Sequence, residues 1–464
     1  MKLHPLETTA RIRDDYVRYL TTIYFFRNTE LRREFLQALT APKFLVKGPL
    51  LEAATPYRRG RSIHQLVDDG VLSSDFRQLC SEALPWERPL YLHQDQVIEK
   101  VVRFGRNIVV ATGTGSGKTE CFLIPVLDHL LREQEAGTLA QPGVRALLLY
   151  PMNALANDQL KRLRAILAHF PAITFGRYTG ETEREDTEAQ ENFHNQFPGE
   201  QLLPNELLSR RQLRERPPHI LLTNYAMLEY LLLRPEDCEF FDGDTGRHWR
   251  FIVLDEAHIY DGATGIEIAM LLRRLKDRVV RSESGRIRCI ATSATLGSGS
   301  ENSLAVARFA AELFGERFEW KEDDPQRQDV VEATREAEAA LGTIWGEGQP
   351  ELYEQLDQLF QETPDEKAVQ QAALTAAVPA AAVDAARQQA RYSPPEKRAR
   401  RLLYLLLQGD GRLHKLRHAL SKPSDFTELA AQTFAQDAQA NEHLVQLVDL
   451  AVKAKPGEGE APLL

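Results

Sequence analysis

The chain has 464 residues, 43% of them hydrophobic and 27% charged, with a net charge of −10. That length predicts two or three domains, and the apolar content suffices to fill their cores. The acidic balance excludes a protein that coats nucleic acid by bulk attraction, although a local basic track remains compatible with it. The opening "MKLHPLETTARIRDDYVRYL" has no apolar core and no small-residue cleavage site, so it does not read as a secretory signal. No apolar run approaches membrane-spanning length, since Glu229 breaks "YAMLEYLLL". Cys80, Cys121, Cys238 and Cys289 are scattered without zinc-like or disulfide-like spacing, and a reducing cytoplasm is the expected location.

In chain order, residues 1–88 read as a mostly helical accessory region with turn signals at "KGPLLEAATPYRRGRS". A boundary is expected at "LPWERPLYLHQ". From 89 to 320 short apolar runs alternate with amphipathic helical stretches: "NIVVA" (107–111), "ALLLY" (146–150), "ITFGR" (173–177), "HILLT" (219–223), "FIVLDE" (251–256) and "IRCIAT" (287–292). Continuous apolar strands separated by helices predict a parallel sheet covered on both faces, an α/β doubly wound fold. "GETEREDTEAQENFHNQFPGEQ" reads as a solvated loop or insertion. Beyond 320 the strand signals fade, and 321–464 is expected to be a helical insertion or linker ending in the unstructured "KAKPGEGEAPLL".

The first strand of this series runs into "TGTGSGKT". Thr112 stands where a P-loop usually begins with glycine, while Gly113, Gly115 and Gly117 permit a tight turn around a phosphate. A helix from about Lys118 would aim its positive end at the same anion. Lys118 is expected to reach the β and γ phosphates of ATP, and the Thr119 hydroxyl to ligate Mg²⁺. The nucleotide cradle thus takes in Thr112, Gly113, Thr114, Gly115, Ser116, Gly117, Lys118, Thr119 and Glu120. "FIVLDEAH" supplies the second half: Asp255 at a strand end for Mg²⁺, and Glu256 to orient and deprotonate a water. The expected chemistry is ATP hydrolysis.

The ordered series "ATGTGSGKTE", "LLLYPMNALANDQL", "YTGET", "LLTNYAMLEYLL", "LDEAH" and "TSAT" resembles the superfamily 2 helicases, ATP-driven nucleic-acid motors built on two RecA-like domains. Within them it looks most like the large bacterial DEAD/DEAH-box helicases related to DNA-repair and phage-defence helicases. The resemblance covers about 89 to 300, and implies a RecA-like P-loop NTPase domain there. It implies that Gln94 reads the adenine edge, which a carboxamide can do by donating and accepting. It also implies that His258, Ser293 and Thr295 couple hydrolysis to strand movement. The loops at Pro151, Asn153 and Ala154, at Gly180 and Thr182, and at Thr223 and Asn224 would face the nucleic-acid backbone, gripping phosphates without reading bases. Asparagines at strand ends serve equally well as turn formers. The basic runs Lys161, Arg162, Arg164 and Arg273, Arg274, Lys276 read as solvated helix faces, and "RRQLRER" (210–216) has no stronger claim on nucleic acid.

A motor of this kind needs a second RecA-like domain with an arginine finger, worth about 10³–10⁵ in rate. No second series of strands follows "TSAT". Gln408, Gly411 and Arg412 in "LLQGDGRLHKLR" have the wrong spacing and a helical context. The expectation is therefore the ATP-binding half of a DNA helicase or translocase, completed by a second motor domain or a downstream partner, with no membrane role. DNA is favoured over RNA as substrate. An RNA helicase and a nucleotide-gated interaction module are the alternatives.

Overall fold

The computed structural model describes all residues except 1–4, 42, 54–55, 295–299, 337–340, 421, 436 and 458–462. The chain divides into two compact units, one spanning Tyr57–Arg335 and the other made of residues up to Pro56 together with those from Glu336 onward.

The Tyr57–Arg335 unit is built on eight strands: β1 (Ile108–Ala111), β2 (Ala146–Tyr150), β3 (Phe175–Arg177), β4 (Glu206–Leu207), β5 (Ile220–Asn224), β6 (Phe251–Leu254), β7 (Arg288–Ser293) and β8 (Val330–Glu332). Their order is β8-β1-β7-β6-β2-β5-β3-β4, and every pairing is parallel. Alternate residues serve opposite faces. Ile108, Val110, Leu148, Leu222 and Val253 enter one core with the helices α1 (Leu92–Val102), α2 (Lys118–Glu135) and α3 (Asn153–Leu167). Val109, Leu147, Leu149, Leu221 and Ile252 enter the other with α5 (Tyr225–Leu233), α6 (Gly262–Val280) and α7 (Ser300–Phe314). Two-sided burial is why these strands are continuous apolar runs rather than alternating ones.

Three features depart from the expectations. β8 lies beyond residue 320 and closes the sheet edge against β1. Three residues carry too little periodicity to be seen in sequence, and the strand is anchored by Asp329, which accepts from Arg106 Nε at 2.8 Å and Nη2 at 2.7 Å. The acidic 180–201 stretch contains a helix, α4 (Asp186–Gln196), that buries Ala189 and Phe193. Finally, residues 57–88 belong to the sheet-bearing unit, not to a separate region ending at 88. Arg59–Ser62 pairs antiparallel with Pro89–Tyr91, and Arg61 binds Asp95 (2.7 Å) and Glu99 (2.8 Å) on α1.

The other unit is helical, with a core of its own around Leu352, Tyr353, Leu402, Leu403, Leu444 and Leu447. Asp410 is buried at its centre, accepting from Tyr353 Oη at 2.7 Å and from the Arg412 backbone N–H at 2.9 Å. Arg412 in turn donates to the carbonyls of Gly348 and Thr433, both at 2.7 Å, so its guanidinium is committed within this unit. Among the described residues no helix is long and apolar enough to cross a membrane.

Candidate nucleotide site and the neighbouring strand-end loops

The turn between β1 and α2 is held from beneath. Thr112 donates its backbone N–H to the Ser293 carbonyl at 3.0 Å, tying it to the end of β7, and its hydroxyl meets that of buried Ser116 at 2.6 Å. His93 Nε2 donates to the Ser116 carbonyl at 2.9 Å, and burial lowers the pKa of that imidazole. Gln94 donates Nε2 to the Gly117 carbonyl at 2.9 Å and accepts the Tyr91 N–H at 2.8 Å. One amide proton and one lone pair of Gln94 remain for another partner. Gly115 and Gly117 have φ of 74° and 73°, where a side chain is strained, and a Cβ on Gly117 would lie 2.3 Å from Gln94 Nε2. Gly113, Thr114 and Gly115 form the exposed tip of the loop.

Lys118 opens α2 and points back across the turn. Its Nζ lies 3.1 Å from Glu256 Oε1 and 3.4 Å from the Thr112 carbonyl. Glu256 has φ 51° and ψ 49°, a left-handed conformation that is costly for a residue with a side chain and that turns the carboxylate toward the loop. Its Oε2 is buried 3.3 Å from His258 Nδ1, in a geometry that makes no hydrogen bond. His258 Nδ1 is also 3.4 Å from Ser293 Oγ. Asp255 accepts from the Thr292 hydroxyl, which itself accepts the Glu256 N–H at 3.1 Å. Burial raises the Asp255 pKa, the Thr292 hydrogen bond opposes that shift, and the Glu256 charge adds to it. Thr295 lies outside the described residues.

These residues fit a magnesium ion that arrives with phosphates. Such ions keep several waters and take one or two protein carboxylates, so a dedicated cage is not required. The Thr119 hydroxyl and Asp255 are suitable hard oxygen donors, Glu256 Oε2 is left without a hydrogen bond, and the adjoining glycine turn leaves room for the phosphates. Glu120 takes a different part: it is buried, pairs with Arg162 and lies 3.8 Å from Arg88, so it fastens α2 to α3.

The three loops expected to face nucleic acid also meet at the carboxyl ends of the strands, but their side chains mostly bond one another. Asn224 donates to Asn153 Oδ1 at 2.9 Å and caps α5 by accepting the Met227 N–H at 2.8 Å. Asn153 donates to Glu181 at 2.9 Å. Thr223 is fully buried and donates to the Tyr178 carbonyl at 2.6 Å, and Thr182 closes the "YTGET" turn by donating to the Arg177 carbonyl at 2.9 Å. The two threonines therefore shape the loops, while exposed Gly180 and Ala154 and half-buried Pro151 present backbone.

Sequence reasoning missed Gln159, whose Nε2 donates to Thr119 Oγ1 at 3.2 Å. It also missed Thr292 and His93, which hold an acid and the loop. The signal for Gln159 was a polar residue inside the buried Ala156, Leu160, Leu163 stripe of α3. The basic runs are solvated only in part: Lys161, Arg273 and Arg274 are exposed, whereas Arg164 and Lys276 are buried. Arg164 makes a buried bidentate pair with Glu206 (2.7 Å twice), and Lys276 a buried pair with Glu316 at 2.8 Å.

Residues 91–303 match the sequence model of the DEAD/DEAH box helicase family. This stretch is a DEAD/DEAH box helicase domain. The Druantia protein DruE of Escherichia coli (strain UMEA 4076-1) is 30% identical over 418 residues, spanning 71% of this chain and 22% of that one. The uncharacterized ATP-dependent helicase YprA of Bacillus subtilis is 30% identical over 213 residues, 46% of this chain and 24% of its own. The crystal structure of the DUF1998 helicase MrfA bound to DNA aligns with 68% of this chain and 38% of its own, at 22% identity and a TM-score of 0.43. The chain thus spans about a fifth to a quarter of the length of these curated relatives.

Proposed function

We propose that this chain carries the ATP-binding motor domain of an ATP-dependent DNA helicase or translocase. The observation that carries the reading is the Lys118–Glu256 contact of 3.1 Å between a phosphate-loop lysine and the second acid of the DEAH sequence. A lysine and a base so paired hold each other until a triphosphate arrives. The γ-phosphate then competes for Lys118, and Glu256, released, is placed to orient the attacking water and take its proton. Thr119 and Asp255 would hold Mg²⁺, which neutralises developing charge on the phosphates. Gln94, fixed on the loop, offers its remaining donor and acceptor to the base. His258 and Ser293 join this acid to the end of β7 and would pass its state onward.

The strand-end loops supply a sequence-independent grip on a phosphodiester backbone. DNA is favoured because the motif series resembles DNA-repair and defence helicases. Repeated opening and closing on a strand would need a second RecA-like domain, in the same or another chain.

The test is ATP turnover with single-stranded DNA, duplex DNA and RNA. Lys118→Ala should lose nucleotide binding, whereas Glu256→Gln should keep ATP bound and unhydrolysed. Wild-type binding and turnover in both variants would refute the site, and stimulation by RNA alone would replace DNA as the substrate.

A further inference from the structure

Beside the "YTGET" turn lies a hollow of about 560 Å³ lined by five arginines and three glutamates. It is formed where the short helix Arg210–Glu215 abuts residues 183–184, with the Arg210 N–H donating to the Glu183 carbonyl at 2.8 Å. Two of the arginines are neutralised. Arg211 binds Asp186, and Arg214 binds Asp237 at 2.7 Å and Glu236 at 2.9 Å. The other three, Arg184, Arg210 and Arg234, pair with no carboxylate among the described residues.

Two of these are held in place without being neutralised. Arg210 is half-buried, with its guanidinium 5.5 Å from the Tyr178 ring centre. It donates Nε to the Thr182 carbonyl at 2.8 Å and Nη2 to the Gly180 carbonyl at 3.2 Å. Arg234 lies 5.0 Å from the centre of the Tyr230 ring. Aromatic backing and backbone acceptors fix a guanidinium's orientation while leaving its charge uncompensated, which suits planar recognition of phosphate oxygens. In a chain of net charge −10, the lining of this hollow carries more arginines than glutamates, five against three.

We propose that Arg184, Arg210 and Arg234 form a phosphate-binding extension of the nucleic-acid track, receiving the strand as it passes the Gly180–Thr182 turn. The inference rests on the reading of that turn as part of a nucleic-acid grip and adds a binding site to it. Arg210 belongs to both, since it braces the turn's carbonyls and contributes charge to the hollow. Arg184 and Arg234 contribute charge alone and are the positions to test.

The experiment measures binding of a fluorescent 20-nucleotide oligo-dT by anisotropy over a salt series from about 50 to 200 mM. Arg184→Gln/Arg234→Gln is compared with wild type and with Arg247→Gln/Arg317→Gln, which changes net charge equally at exposed sites elsewhere in the same unit. Each lost phosphate contact shallows the log–log salt slope by about 0.7, so the hollow variant should be shallower by about 1.4 and bind roughly tenfold more weakly at low salt. The control pair should keep the wild-type slope, and all three proteins should melt together. A hollow variant with the wild-type slope, or a control pair with an equal loss, would overturn the inference while leaving the motor reading intact. Failure of the wild-type chain itself to bind would instead remove the reading beneath it.

Discussion

The carboxyl edge of the sheet divides between β6 and β2 into halves that treat polar side chains in opposite ways. On the β1, β7 and β6 side, Lys118, Glu256 and Asp255 converge with valences left over, one carboxylate oxygen buried without a hydrogen bond and a lysine shared between an acid and a carbonyl. On the β2, β5 and β3 side, Asn153, Asn224, Thr223 and Thr182 are occupied by one another, by Glu181 or by backbone. A reacting phosphate needs side chains able to change partner. A sequence-blind grip needs loops of fixed shape that present amides, and side chains closed into a network supply that shape. Helix α3 joins the halves, with Asn153 in one and Gln159 in the other.

The largest effect should come from breaking the reactive half. Glu256→Gln should lower DNA-stimulated ATP turnover by about 10²–10⁴-fold, the range of a lost general base, with ATP still retained on a filter. A milder loss would mean that Glu256 shapes the site, as the asparagines shape theirs.

A second test sits at the opposite end of the strands and separates failure of the fold from failure of the site. His219 is buried and accepts the Thr174 N–H at 3.1 Å through Nδ1, and burial, with Arg145 nearby, lowers its pKa to about 4. A histidine depressed in the folded state stabilises it fully above the unfolded pKa of about 6.5, and that contribution is lost as pH falls toward 4. The loss should reach roughly 3 kcal/mol, seen as a falling melting temperature between pH 6.5 and 4. His219→Gln should flatten that dependence, and an unchanged profile would contradict it.

On the closed half, Asn224→Ala removes the α5 cap and leaves Asn153 Oδ1 without its donor. The expected cost is about 1–2 kcal/mol in denaturant melts, with weaker oligo-dT binding. Loss of DNA binding with no change in stability would mean that Asn224 touches phosphate directly, which would blur the distinction between the halves. The smallest effect concerns the link. Gln159→Leu should reduce stimulation of ATP turnover by DNA about fivefold, the lower end of ordinary coupling energies, read as the ratio of rates with and without DNA. An unaltered ratio would show that α3 does not transmit between them.

What the sequence made legible follows the same division. The central strands were visible because two-sided burial forces continuous apolar runs, and the phosphate loop because glycine, lysine and threonine have few other reasons to share that spacing. β4 and β8, of two and three residues, carry no pattern of their own and exist because neighbouring strands offer an edge. The place of residues 57–88 was hidden because Arg61, Asp95 and Glu99 are distant in sequence and polar, so no periodicity announces their contact. The sequence pointed to Lys118, Asp255 and Glu256, which the structure brings together, yet it did not reveal the closed character of Thr223 and Thr182, because residue type does not show which partner a hydroxyl takes. Gln159 and Thr292 were overlooked for the converse reason: their importance lies in what they touch.

The most direct measurement is a crystal structure with a non-hydrolysable ATP analogue and magnesium. In it Lys118 Nζ should leave Glu256 for the β and γ phosphates, a metal should be held by Thr119 and Asp255, and Gln94 should keep its bond to Gly117. A saturated crystal in which Lys118 still holds Glu256 and the glycine turn contains no phosphate would rule out the proposed nucleotide site.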